Sequence, residues 1–265
     1  MSGLPSQYWQ ELTTEEIAAA DRDRTVVVIP VAAVEQHGPH LPLGVDALIN
    51  GGLVKEALGR LPSDFPVLVL PQQSIGWSDE HGAFAGTLSL SPETLMDSWC
   101  EIGGGIARAG FRRLVFFNSH GGQSELAKIV CRKLRIAHEV LAVAANWYAL
   151  VDLSDMIDAE ERKHGIHAGT VETSMMLHLR PDLVRRKKLA NFEPSSVEMA
   201  RRYRRLGPTG ATPFGWMTQD LHSSGAVGNA GAADAGKGRL IVERAGQAFA
   251  ELLLETGRFD LADLK

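Results

Sequence analysis

Four short apolar runs punctuate the first half of the chain, and stretches of helical spacing separate them. Residues 25–34 (TVVVIPVAAV) are a continuous run rich in β-branched side chains. A run without alternation is the pattern of a strand buried on both faces of a parallel sheet. Residues 66–70 (PVLVL), 113–117 (RLVFF) and 140–145 (VLAVAA) repeat it. Helical spacing covers about residues 47–61, a segment from Ser91 to just before Gly110, then 124–138, 170–179 and 238–255. Ser91 suits an N-cap and Pro92 a first helical turn, while Pro181 ends the fourth segment. This alternation predicts an α/β fold, a three-layer α/β/α domain with a mostly parallel sheet, with residues 1–265 as one domain. The glycines at 103, 104 and 105 fall inside a predicted helix and imply close packing. The Gly/Ala/Ser-rich stretch 223–237 has too little chain after it to be an interdomain linker. It reads as a loop approaching a site or a subunit boundary.

Composition narrows the class. Hydrophobic residues are 45% and charged residues 22% of 265, which is ordinary globular usage, and a chain of this length buries a core without disulfides. The net charge of −5 argues against nucleic-acid binding, and the basic run at 185–188 reads as a solvated helix end. No apolar run of about 18 residues exists, so no membrane span is expected. The N-terminal segment lacks the basic and apolar regions of a signal peptide. Two isolated cysteines, Cys100 and Cys131, make no zinc knuckle and suggest a reducing compartment, so a cytoplasmic location is expected.

The candidate chemistry collects where strands end. After the first strand comes EQHGPHLPLGVD, which holds Glu35, His37 and Asp46. Glu35 and His37 are two apart and point the same way in extended chain. Asp46 starts the next helix, where a plain N-cap is the alternative reading. A carboxylate at the end of a buried strand must be paired or ligated, and the mixture of Glu, His and Asp suits a divalent metal. After the third strand comes NSHGGQ, with His120, Gly121 and Gly122 opening a helix. Ligands in open α/β sheets sit at this carboxyl edge. A phosphate cradle is the weaker alternative, because neither a following Lys-Ser/Thr nor a G-x-G-x-x-G pattern is present. A third cluster, HGIHAGTVETS, holds His167 before a helix and Glu172 in its first turns. These can serve as proton donor and as metal ligand or base, against a plain dipole partner for Glu172. His164 reads as exposed and incidental, and His178 as a partly buried helix-end histidine. Ser78 and His81 lie in the loop after the second strand, at the same edge. His81 reads as a contact to substrate or to a neighbouring subunit, or equally as a loop residue. Trp77, Trp147 and Trp216 are pocket walls or plain packing.

In this order, E-Q-H-G-P-H-L-P-L-x-x-D, N-S-H-G-G-Q and H-A-G-x-x-E-T-S resemble the creatininase (creatinine amidohydrolase) family. The likeness runs from about Trp9 to the last helix. The resemblance implies a metal-dependent amidohydrolase with two divalent ions per chain (Zn, Mn or Fe), acting on a small-molecule amide, and a homo-oligomer, a hexamer by family habit. Carried over by position, Glu35 and His120 would bind one ion, His37 the other, and Asp46 both. His167 resembles the family histidine that protonates the leaving nitrogen. Ser78, His81, Gly121 and Gly122 are the expected substrate contacts.

One position departs from creatininase itself, where a metal-binding glutamate stands two residues after the second-motif histidine. Here that residue is Gly122, so Glu172, or else water, must complete the second site. The G-G form looks like relatives other than creatininases: deformylases of formylaminopyrimidine nucleotides, a peptidase-like protein of mycofactocin maturation and a hydrolase of a keto-inositol. The expected chemistry is attack on a carbonyl by a metal-bridged hydroxide, breaking an amide, cyclic amide or formamide C–N bond. The alternatives are a non-catalytic metal-binding relative and a hydrolase of a C–C or ester bond at the same centre.

Overall fold

A computed structural model describes residues 4–264. The expected domain span includes residues 1–3 and 265, which lie outside the described residues, as does the start of the segment read for a signal peptide. In chain order the elements are α1 (Thr14–Ala19), β1 (Val26–Val31), α2 (Val45–Leu58), β2 (Val67–Val69), α3 (Pro92–Arg108), β3 (Arg113–Asn118), α4 (Ser124–His138) and β4 (Leu141–Asn146). They continue with α5 (Ala159–His164), α6 (Thr170–Leu179), β5 (Asn191–Phe192), α7 (Ser195–Arg202), α8 (Thr218–Leu221), β6 (Gly228–Asn229) and α9 (Ala235–Arg258).

The first four strands form one parallel sheet in the order β2-β1-β3-β4. Because side chains alternate across a strand, the apolar runs feed two cores. Val26, Val28, Val115 and Phe117 pack against α2, α6 and α9. Val27, Ile29, Leu114 and Phe116 pack against α3 and α4 on the opposite face. The three-layer α/β/α architecture follows. β1 and β3 are buried along their whole length, as their unbroken apolar runs predict. β4 is a half-buried edge strand, so its run is covered on fewer sides than the sequence suggests. A two-stranded antiparallel pair, β5 with β6, lies apart from the main sheet.

Local chemistry sets the helix ends. Ser91 caps α3 by accepting the Thr94 N–H, with Pro92 at the first position. The glycines inside α3 are contact points: a side chain at Gly103 would run into Leu134 of α4. Cys100 and Cys131 are both free, and burial pushes the Cys131 thiol up to about 12. Among the described residues no helix is long and apolar enough to cross a membrane.

The strand register positions the site. Val31 of β1 pairs with Asn118 of β3, so the segments that follow both strands leave the sheet side by side. Asn50 of α2, fully buried, locks this edge. Its amide donates to Val31 O at 3.1 Å, to Phe117 O at 2.9 Å and to Ser119 Oγ at 3.2 Å.

Candidate metal centre and active-site cavity

Three segments converge at the carboxyl edge of the sheet. The turn after β1 carries Glu35 and His37. Gly38 makes that turn at φ +67°, against Ala226. The first turn of α2 carries Asp46. Gly44 stands at the N-cap position and makes no side-chain cap bond, so Asp46 is free of the capping role its place suggests. Ser119 Oγ donates to Asp46 O at 2.9 Å and pins that turn to β3. His120 leaves β3 directly, and Glu172 enters from α6.

Glu35, His37, Asp46 and His120 are each at most 4% exposed. His120 Nδ1 lies 3.2 Å from Glu35 Oε2 and 3.4 Å from Asp46 Oδ2. His37 Nε2 lies 3.5 Å from Asp46 Oδ1 and 4.0 Å from Glu172 Oε2. Backbone carbonyls fix both rings. His37 Nδ1–H donates to Glu35 O at 3.1 Å and His120 Nε2–H to Trp77 O at 2.9 Å. That leaves each remaining ring nitrogen aimed at carboxylates, the arrangement that orients metal-binding histidines.

The buried groups shift one another strongly. Burial works against charge on His37, yet the adjacent Asp46, with Glu172 and Glu35, pushes its pKa up to about 9. His120 is raised well above its usual value against the same burial, mainly by the Glu35 charge. Burial opposes ionisation of Asp46 too, but His120 and His37 hold it down at about 2. Burial pushes Glu172 up to about 7. Glu35 Oε2, His37 Nε2 and Asp46 Oδ2 are buried without hydrogen-bond partners among the described residues. Orphaned groups of this kind are costly unless something binds them.

The donor set fits divalent ions. Glu35, Asp46 and His120 bring ligand atoms within 4.8 Å of one another, and so do His37, Asp46 and Glu172. Asp46 is common to both groups. Glu35, His37 and His167 form a third such group.

Above this cluster opens a cavity of about 760 Å³, reaching Glu35, Asp46, His81, His120, His167 and Glu172. Gly121 and Gly122 line it near His120, and Trp147 and Trp216 give it aromatic walls. Trp77 packs into the α3/α4 core instead. His167 is held by a donation from Nε2–H to Gln36 O at 2.7 Å, and its main chain pairs with Val227. The stretch 223–237 therefore comes to the site. His167 Nδ1 is left 3.7 Å from Glu35 Oε1. Burial, then the nearby His37 and His81, push the His167 pKa well below its usual value.

Ser78 is fully buried beside His120, its Oγ 3.4 Å from Nε2 and its N–H bonded to Ser89 Oγ. His164, expected at the surface, is buried and bonded through Nδ1 to Ser196 Oγ at 2.9 Å. His178, expected to be partly buried, is exposed.

Glu80 was invisible to sequence reasoning. Its Oε1 lies 3.4 Å from His120 Nε2 and takes up the space where a side chain at Gly122 would stand. The only available signal was the pairing of a bare Gly122 with an acidic loop at the same edge.

A family model described as creatininase, creatinine amidohydrolase, matches residues 10–253. This chain belongs to the creatininase family. A mycofactocin precursor peptide peptidase of Mycobacterium ulcerans is 35% identical to this creatininase-family chain over 196 residues, 71% of this chain and 72% of that one. A creatinine amidohydrolase of Pseudomonas putida is 30% identical over 204 residues, 71% and 75% of the two chains. A solved structure titled "Creatininase Mn" covers 96% of this chain and 100% of its own, with 28% identity and a TM-score of 0.77.

Proposed function

We propose that this creatininase-family protein is a metal-dependent amidohydrolase that cleaves a C–N bond of an amide-like substrate. The observation that carries this reading is the set of buried, partnerless ligand atoms on Glu35, His37 and Asp46, meeting beneath an open cavity. Glu35, Asp46 and His120 would hold one divalent cation and His37, Asp46 and Glu172 a second. Glu172 thus supplies the ligand that Gly122 lacks. Mixed carboxylate and imidazole ligation suits zinc, manganese or iron. When bound, such ions supply Lewis acidity and bring the pKa of water at the site toward neutrality.

The remaining steps belong to the chain. Water adds to the carbonyl carbon, and the N–H groups of Gly121 and Gly122, which line the cavity, would stabilise the oxygen that gains charge. Gln36 O occupies the Nε2–H of His167, so Nδ1 would take the proton that the water gives up. His167 Nδ1 then delivers this proton to the departing nitrogen as the C–N bond breaks. The products are a carboxylic acid and an amine, and His167 returns to its starting state.

A peptide bond is the second reading. A cavity of about 760 Å³ is in the size range of pockets for drug-sized ligands, roomier than a small cyclic amide requires. The identity to a peptide peptidase supports the same direction. The experiment is elemental analysis of protein purified without chelator, beside Asp46→Ala, followed by mass spectrometry of products from cyclic amides, formamides and short peptides. Two ions per wild-type chain, lost in the variant, together with metal-dependent release of an amine, is the expected result. Full metal content in Asp46→Ala removes the shared-ligand arrangement. Cleavage of a C–C or ester bond alone replaces the reaction class.

A further inference from the structure

His81 sits in a hydrogen-bond frame that leaves it one protonation pattern. The frame starts at Gln36, between Glu35 and His37. The Gly38 N–H can only donate, so the Gln36 atom it meets at 2.9 Å is the carbonyl Oε1. The other end, Nε2, meets the Gly225 carbonyl at 2.9 Å and must donate there. Two backbone groups therefore orient the Gln36 amide. The second hydrogen on Nε2 points at His81 Nδ1, 2.7 Å away. A donor at that distance requires a bare lone pair on Nδ1. The Thr218 hydroxyl, 2.8 Å from the same nitrogen, donates its hydrogen to Glu80 O at 2.9 Å, so the Gln36 amide is the donor that reaches Nδ1. Turning the ring over would put carbon opposite both groups. His81 is thus a neutral imidazole whose single N–H is on Nε2, and Nε2 lies 3.4 Å from Glu35 Oε1. His81 is 2% exposed, so water competes little for that hydrogen.

We infer that His81 is a positioning residue for the metal centre: its Nε2–H holds Glu35 Oε1, so that Oε2 faces Asp46 and His120. This rests on the metal-centre reading above. Gln36 has two duties, since its backbone carbonyl holds His167 and its side chain sets the tautomer of His81. One residue between two ligands thus orients two of the cavity's histidines, His81 and His167. A donor set against a ligating carboxylate favours one rotamer of it, and loss of such a partner costs ~10–100-fold in metal affinity.

The test is zinc affinity of the full-length protein, measured by competition with a chelating dye, for wild type, His81→Ala, His81→Gln and His81→Asn. The glutamine amide nitrogen reaches the place of imidazole Nε2, while the asparagine nitrogen reaches only that of Nδ1. Expected are a ~10–100-fold loss at one zinc equivalent in His81→Ala and His81→Asn, and recovery to within a few-fold in His81→Gln. Wild-type affinity in His81→Ala overturns the assignment and leaves the metal centre standing. So does equal affinity of the Gln and Asn variants, a comparison that decides the matter even if His81→Ala does not fold. Failure of the wild type to bind zinc overturns the metal centre and this assignment together.

Discussion

Glu172 Oε2 accepts the backbone N–H of Ala168 at 2.6 Å, and Ala168 carries a φ of +55°. A left-handed conformation costs a non-glycine residue roughly 1–2 kcal/mol, and it persists where the surroundings hold it. Here both ends of the residue are held. The Ala168 carbonyl accepts His40 Nε2–H at 3.1 Å and Thr173 Oγ1–H at 3.2 Å. Because Ala168 follows His167, the strain lies on the backbone that aims the imidazole proposed to carry the proton.

Ala168→Gly tests what that strain does. The substitution relieves the positive φ but removes a fully buried methyl group, worth ~0.8 kcal/mol. The two effects offset, so thermal unfolding should move little. Turnover should drop on the order of tenfold as the run from His167 to Gly169 gains freedom. Scanning calorimetry beside steady-state kinetics checks this, and unchanged kcat would make the strain incidental.

His167→Ala should separate binding from chemistry. On the proposed mechanism the ring is a proton carrier, and carriers of this kind are worth ~10²–10⁴-fold in rate. Turnover should fall by that order while metal content matches wild type. Loss of one ion in this variant would instead place His167 among the ligands, through the group it forms with Glu35 and His37.

The metal-free protein should be most stable near pH 6.5. The His37 pKa is raised from 6.5 to about 9, so its stabilisation is complete below 6.5 and lost as pH rises through 9. Burial lowers His40 from 6.5 to about 4, so its contribution is complete above 6.5 and lost as pH falls through 4. Loading with zinc should abolish the alkaline loss, because a ligating His37 is already neutral. Melting temperature against pH, with and without metal, reads both limbs. An alkaline limb that survives zinc would take His37 out of the ligand set.

Gly122→Ala should damage the first metal group without replacing a ligand. The new methyl group would meet Glu80 Oε1 and would stand 2.7 Å from His120 Nε2. Zinc stoichiometry should fall below two. Glu80→Ala added to Gly122→Ala should restore part of it, since one of the two obstacles is gone. Equal occupancy in single and double variants would mean that Glu80 does not compete for this space.

The sheet and its longer helices were legible because their signals are local. The bounds of α4 and α6 follow from periodicity and their flanks, and Ser91–Pro92 announces α3. The short pair β5–β6 and the helices α5, α7 and α8 carry too few residues for a period to show. His164 illustrates the limit: it lies on the short polar helix α5, and its burial comes from Ser196 of α7, a contact with no local trace. In the site, Glu35, His37, Asp46 and His120 declared themselves as ligand-type residues at strand ends. Glu80 and Thr218 did not, because which polar side chain of a loop turns inward is decided by tertiary packing. Gln36 was in plain view inside the first motif, but its dual function depends on Gly225, far along the chain.

The ligand atoms come from the β1 turn, α2, the end of β3 and α6, and they meet only when the parallel sheet has zipped in register. An unfolded chain has no comparable chelating cluster to offer. Metal binding therefore adds almost wholly to the native side of the folding equilibrium, by an amount that grows with the logarithm of free metal. On the proposed metal centre, the protein's lifetime would be tied to metal supply: starvation for the ion would expose the chain to proteolysis, and repletion would protect it.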